Sequence, residues 1–135
     1  MRGKLGHLVA QSPPQPVVVD GLTLLVAGKC EDAVRKWTVA WTGDEAGKAQ
    51  QLVASCALLE KLGTVHGYDL LGTRDVTPHL QRVYVVVRYE VEPVYMMFLA
   101  YAPDGAQWKI ETLTWHTDPD KVIPPEILPP QHPGS

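Results

Sequence analysis

The hydrophobic pattern of this chain changes its period near Gly67, and that change limits the possible folds more than any other feature. Before Gly67, apolar residues recur at i, i+3, i+4 and i+7, the spacing that gathers them on one side of an α-helix. After Gly67 the period is two, which is typical of β-strands. Helices first and strands second predict an α+β domain with the helices packed on one face of a sheet.

The first half of the sequence predicts three short helices. Asp20 and Asp44 are the expected N-caps of the first and third helices, because a carboxylate accepts hydrogen bonds from the open N–H groups of a first turn. Gly28, Gly43 and Gly63 are the expected stops, since glycine adopts the left-handed conformation that ends many helices. The expected segments are 18–27, 31–41 and 44–62.

The second half predicts an antiparallel meander of about four strands, because the connections between its strands are short turns. In the last strand, Trp108 and Ile110 share one parity, whereas Leu113 and Trp115 share the other. A bulge near Thr112 would bring these side chains onto one face and bend the sheet. The expected strands are 68–75, 80–90, 94–101 and 108–116.

Residues 83–101, VYVVVRYEVEPVYMMFLAY, are apolar on both faces of the predicted sheet. A sheet covered on one side should carry polar residues on its other side. One face is expected to pack on the helices around a conical interior. The outer face then needs a cover, and a second copy of the chain in a symmetric homodimer supplies it most economically. Arg88 and Glu90 are interpreted as polar groups at the interface edge or in cross-strand pairs.

Cys30 and Cys56 permit two interpretations. Each lies 13 residues from Gly43 (43 − 30 and 56 − 43), so the two can face each other in an antiparallel hairpin of the second and third helices. A disulfide between them would indicate an oxidising compartment. The alternative is two separate buried thiols that act as small hydrophobic side chains, and it is favoured because a bridge also needs converging Cβ vectors.

Pro-rich segments flank the predicted domain. Residues 1–16 are expected to be a flexible arm, residues 17–120 the domain, and residues 121–135 an extended tail. The start MRGKLGHLVAQSPPQ is interpreted either as the remnant of an export signal, which would fit an exported or periplasmic protein, or as an unstructured start. The tail is interpreted as a terminal extension rather than a ligand for SH3- or WW-type domains.

Composition and motifs argue against several function classes. The 12 Lys and Arg residues are scattered and the net charge is −3, so nucleic-acid binding is not expected. No apolar run reaches the roughly 20 residues that a membrane-spanning helix needs, so no membrane association is predicted. Phosphate-binding loops, dinucleotide fingerprints, HExxH and CxxC motifs are absent, and neither a cofactor nor a metal is predicted.

Several segments together resemble the NTF2-like (SnoaL-like) family of α+β cone domains, over about residues 18–120. They are AGKCEDAVRKW, LGTVHGYDLLGTRDV, LQRVYVVVRYE, PVYMMFLAYAPDGAQWKI and LTWHTDP. Phe98, Tyr101, Pro103, Gly105 and Trp108 are similar to the F-x-Y-x-P, Gly and Trp pattern of uncharacterised bacterial members. The resemblance implies three helices on a curved sheet. Because this fold serves isomerases, cyclases, dehydratases, transport factors and non-catalytic binding domains, it does not choose a function.

The resemblance also implies where an active site would lie. Enzymes of this family use an acid or base that projects into the cone beside aromatic residues, where burial would raise the pKa of a carboxylate. The candidates here are His66, Asp69 and His116, with Asp75 and Arg88 as further polar groups. No close His/Asp pair shares one strand face, which argues against catalysis.

Two functional hypotheses follow. The favoured one is a non-enzymatic NTF2-like domain, a homodimer that binds a small apolar ligand or a protein partner. The other is an isomerase, cyclase or dehydratase with a general base in the cone. Regularly spaced aromatic residues are expected in the core, in the dimer contact or around a pocket at the cone mouth. The pocket candidates are Trp37, Trp41, Tyr84, Tyr95, Phe98, Trp108 and Trp115.

Overall fold

A computed structural model describes residues 12–127, which form three helices followed by a four-stranded sheet. The predicted α+β class, with the helices before an antiparallel sheet, is confirmed. A short 3-10 turn, Pro119–Lys121, follows the last strand. The elements are α1 Pro16–Val26, α2 Cys30–Trp37, α3 Asp44–Glu60, β1 Val65–Thr77, β2 Leu80–Tyr89, β3 Pro93–Tyr101 and β4 Lys109–His116.

Helix α1 begins at a proline rather than at the predicted aspartate cap. Pro16 has the φ angle of a first turn and lacks the N–H that would stay open there, so the helix starts before Asp20 and the predicted cap is wrong. Gly28 ends the helix as predicted. It has a φ of 85°, and its N–H donates to the Leu25 carbonyl at 3.0 Å.

Helix α2 ends at Trp37, earlier than predicted. The β-branched pair Thr38 and Val39 follows, and residues 38–40 form a turn rather than more helix. Trp41 therefore lies outside the helix. Gly43, with a φ of 60°, is the N-cap of α3, so the predicted cap Asp44 is instead its first helical residue.

The sheet is a meander in the order β1-β2-β3-β4, and each neighbouring pair is antiparallel. The predicted bulge in β4 is present one residue earlier than expected. Leu99 and Ala100 pair with Thr112 and Ile110, so Glu111 is the extra residue. As a result Ile110 and Leu113 are both buried on the inner face, as predicted from the phase change.

The inner face of the sheet packs against the helices around two aromatic rings. The centroids of Trp37 and Phe98 lie 4.8 Å apart with an angle of 59° between their planes, and both side chains are fully buried. The Trp37 indole N–H also donates to the Val18 carbonyl at 3.2 Å. Both rings belong to the hydrophobic core.

The segment before α1 is held against the sheet by one buried side chain. The Gln81 amide accepts from the Gln15 N–H at 3.1 Å and donates to the Pro13 carbonyl at 3.0 Å. Such a buried amide needs partners on both its oxygen and its nitrogen, and this segment supplies them. Residues 12–16 are therefore part of the folded domain, which corrects this end of the predicted arm; residues 1–11 lie outside the described residues.

The outer face of the sheet is covered in part by the chain's own C-terminal segment. Ile123 and Ile127 are buried against Tyr84, and the half-buried Tyr95 and Met97 pack beside them. Residues 122–127 thus belong to the packed structure, although the sequence indicated an extended tail from residue 121. The remaining tail, 128–135, lies outside the described residues.

Candidate functional site

A groove of about 800 Å³ lies between α3 and β4 and is called the β4 groove below. One wall consists of seven consecutive residues of β4, from Lys109 to Trp115. The other wall comes from α3 and from the turn that precedes it. The residues of that second wall are Ala40, Trp41, Thr42, Glu45, Lys48, Gln51, Leu52 and Ser55.

The β4 groove follows the edge of the strand rather than one of its faces. Side chains of opposite parity, such as Leu113 and Thr114, both line it. Because alternate side chains of a strand point to opposite faces, a groove that meets both sets must run beside the backbone. β4 is the last strand of the sheet and pairs only with β3 within residues 12–127, so its outer edge faces the groove.

One side chain already contacts that edge. The Trp41 indole N–H donates to the main-chain carbonyl of Ile110 at 2.7 Å. The turn after α2 presents Trp41 to the strand. Within that turn the main-chain N–H of Trp41 donates to the Thr38 carbonyl at 2.9 Å. The carbonyl of Ile110 therefore points away from β3 and into the groove, where it accepts a donor that is not part of the sheet.

Helix α3 is attached to the rest of the fold mainly through its second half. Among its residues only Cys56 and Leu59 are buried. Of the two interpretations of the cysteines, the structure has the bridge: Cys30 and Cys56 form a disulfide with their Cα atoms 5.9 Å apart. This bond ties α3 to the start of α2, while the first half of α3 extends over the groove as its wall.

The β4 groove is lined by polar and apolar groups together. Leu52, Ile110 and Trp115 contribute apolar surface. Two acidic and two basic side chains line it as well, and two of these pair with each other, since Lys48 Nζ lies 3.4 Å from Glu45 Oε2. Lys109 Nζ lies 5.8 Å from the centroid of the Tyr101 ring. The lining therefore carries two formal charges of each sign.

The seven aromatic pocket candidates lie in four different places. Trp41 and Trp115 meet at the β4 groove. Trp37 and Phe98 are core residues. Tyr84 and Tyr95 lie on the outer face beneath the C-terminal segment. Trp108 lines a second concavity of about 400 Å³, together with Ser12, Gln15 and residues 75–78.

The three catalytic candidates are separate and exposed. His66 pairs with Glu90, and the Asp69 carboxylate lies 3.1 Å from Arg88 Nε; the side chains of both pairs are about half exposed or more. His116 is on β4, at the opposite edge of the sheet, where its Nδ1 accepts the Asp118 N–H at 2.9 Å. The structure therefore brings no two of them together in a pocket.

The further polar group Asp75 is also engaged. Its Oδ1 accepts from the Gln81 amide at 3.1 Å, and its Oδ2 accepts from the Ser12 hydroxyl. Asp75 therefore supports the attachment of the N-terminal segment.

Within residues 12–127, no group of three His, Cys, Asp or Glu side chains is arranged to hold a metal ion. No helix in this part of the chain has the length and apolar character to span a membrane.

Sequence reasoning found two residues of the β4 groove and missed the others. The last strand of a meander is always an edge strand, so the open edge of β4 was available as a signal. The sequence carried no signal for the position of α3. Its apolar stripe indicates which side of the helix is buried but not how far the first half of the helix lies from the sheet.

No protein-family model, no curated protein and no solved structure matches this chain. The resemblance to NTF2-like domains therefore stays a prediction from the sequence.

Proposed function

We propose that this chain is a non-catalytic, NTF2-like binding domain that holds a segment of a protein partner in the β4 groove. The observation that carries the proposal is the outer edge of β4, which pairs with no other strand within residues 12–127, while seven residues of β4 line the groove. Main-chain N–H and C=O groups along a strand edge need partners in a regular row, and another polypeptide supplies such a row.

The structure supports a protein segment more than a small apolar ligand. Trp37 and Phe98 are fully buried in the core, in contact with each other, and line none of the concavities described above. The β4 groove is elongated and carries four charged side chains, in contrast to the mostly apolar pockets of small ligands.

The geometry gives the catalytic hypothesis no equivalent support. A general base must lie within hydrogen-bond reach of a bound substrate, and burial beside aromatic residues would adjust its pKa. His66 and Asp69 instead pair with Glu90 and Arg88 at the surface. His116 accepts a main-chain hydrogen bond outside the groove lining.

A homodimer through the outer face of the sheet belongs to the same proposal. Its contact surface would be smaller than the sequence indicated. The C-terminal segment already buries Tyr84, which leaves Val86, Leu99 and Tyr101 half-buried on that face. The disulfide supports placement in an oxidising compartment, since such bonds persist there and are rare in reducing cytosol.

Selection of linear peptides displayed on phage, against the oxidised protein, tests the proposed function. We expect enriched peptides to shift the NMR signals of β4 and of the first half of α3 when added to the labelled chain. The matched variants are Thr114→Lys, which adds a long charged side chain at the groove, and Gln50→Lys, which adds it on the exposed side of α3 outside the groove lining. Binding that Thr114→Lys leaves unchanged, or signals that shift elsewhere, would contradict the proposal.

A further inference from the structure

The two edges of the sheet differ in how well they can accept another strand. β1 has register irregularities at three places, between Val65 and Gly67, Leu70 and Gly72, and Asp75 and Thr77. It also carries an exposed charged side chain, Asp69, which pairs with Arg88. Bulges and charges are the features that keep edge strands from pairing with another chain. The β1 edge is therefore protected.

The β4 edge has a regular, uncharged stretch. From Thr112 to His116 the pairing with β3 is continuous, and its one bulge lies just before, at Glu111. The stretch Thr112-Leu113-Thr114-Trp115 consists of residues without charge, three of which are β-branched or aromatic types that favour strands. The part of the β4 edge that is open to the groove is thus also the part with ordinary strand geometry.

Trp41 marks one end of this stretch. Its indole N–H donates to the Ile110 carbonyl at 2.7 Å. This is the position from which the N–H of an added strand would donate. Together with the bulge at Glu111, this contact closes the edge on the Lys109 side. The opening that remains spans Thr112 to Trp115, a length of about 13 Å at roughly 3.3 Å per residue.

We propose that the β4 groove binds its partner by strand addition: an extended segment of another protein pairs through its main chain with Thr112–Trp115. This inference rests on the proposed function and names the mode of binding and the class of partner. Main-chain pairing supplies the affinity, while alternate side chains of the bound segment face Trp41 and Leu52 on the α3 side. A helical segment is disfavoured because it has no free main-chain groups to offer the edge.

N-methylation of a bound peptide gives the decisive measurement. In an added strand every second N–H points to the neighbouring strand, so methylation at alternate positions should weaken binding about tenfold or more per position. Methylation at the intervening positions should have little effect. The probe is the tightest linear peptide from the phage selection, measured by calorimetry. Amide hydrogen exchange of Thr112–Trp115 should slow when the unmethylated peptide is bound.

The outcomes separate this inference from the proposed function. A peptide that binds the groove, with no two-residue periodicity in the methylation series and no slowing of exchange in β4, overturns strand addition and leaves the proposed function standing. No enrichment of groove-binding peptides contradicts both. If light scattering shows that the chain dimerises and the amide hydrogen exchange of Thr112–Trp115 slows in the dimer, the edge pairs with a second copy, which overturns the assignment to another protein.

Discussion

The backbone of Gly21 in α1 lies directly against the indole ring of Trp37 in α2. A Cβ built on Gly21 would lie 2.0 Å from Trp37 Nε1 and 2.2 Å from its Cε2, closer than real Cβ contacts. Glycine is unfavourable inside a helix, so its presence there needs a reason. The reason is the ring: it needs the space beside α1 to reach Phe98 and to donate to the Val18 carbonyl.

Gly21→Ala should therefore destabilise the protein although alanine favours helices. The new methyl group must displace a fully buried ring, and we expect a loss of about 3 kcal/mol in the free energy of unfolding. Gly47→Ala in α3 is the matched control, because a Cβ there has no atom within 4 Å, and it should stabilise by about 0.5–1 kcal/mol. Urea unfolding measures both, and effects of the same sign would contradict this account.

The sequence was sufficient to predict those helices, strands and bulges that depend on the local hydrophobic pattern. The change of period near Gly67 correctly predicted helices before strands, and the phase change between Ile110 and Leu113 correctly predicted the bulge in β4. Both rest on side-chain alternation, which a single strand or helix expresses by itself. The position of Gly21 against Trp37 could not be predicted in this way, because it depends on how two helices cross.

The candidate site was less predictable because it is formed by elements far apart in the sequence. Trp41 was expected on a helix, yet it leaves α2 to contact Ile110, which is 69 residues away. The cover of the outer face was expected from a second copy, but Ile123 supplies part of it from the same chain. In both cases a long-range contact determined the outcome, and hydrophobic periodicity contains no information about such contacts.

Trp41→Phe should cost stability through the loss of one hydrogen bond. The ring still fills the groove wall, but the Ile110 carbonyl loses its donor, and we expect a cost of about 1 kcal/mol. Trp108→Phe is the control, because the Trp108 indole makes no hydrogen bond to the described part of the chain, and it should cost less. Unfolding in guanidinium chloride measures the free energy of unfolding of both variants. Equal losses in the two would show that the indole donor of Trp41 contributes nothing to stability.

Reduction of the disulfide should loosen α3 more than the sheet. The bond closes a loop between residues 26 positions apart, so its loss should lower the free energy of unfolding by about 3 kcal/mol. Hydrogen exchange should rise first in α3, because only Cys56 and Leu59 of that helix are buried. The double variant Cys30→Ala, Cys56→Ala is the control: its stability must not respond to reductant. An unchanged exchange pattern in α3 would contradict the anchoring role of the bond.

Tyr89 should give the protein a stability loss at high pH. Burial, with Glu60 adding charge repulsion, raises the pKa of Tyr89 to about 12 from its ordinary value of 10.0. The folded state keeps the proton that the unfolded state releases, so the stability present below pH 10 should fall as the pH rises toward 12. Absorbance titration of tyrosinate should lose its highest-pH component in Tyr89→Phe, and an unchanged curve would count against this assignment.

The C-terminal segment should control how much of the outer face is open to a second copy. Ile123 and Ile127 bury Tyr84, and the Ile123→Ser, Ile127→Ser double variant replaces this cover with polar groups. We expect the apolar outer face to become exposed and the chain to self-associate at lower concentration. Glu126→Gln is the control, because it removes only the exposed ion pair with Arg74, whose atoms lie 3.0 Å apart.

Light scattering over a concentration series compares the three chains. If the outer face forms the dimer, the wild type and Glu126→Gln should associate alike, and the double variant should associate more strongly because more apolar area is available to bury. Stronger association of the double variant would also show that Ile123 and Ile127 limit the dimer by occupying part of its surface. Association that is equal in all three chains would place the contact elsewhere, and the β4 edge would then be the next surface to test with Thr114→Lys.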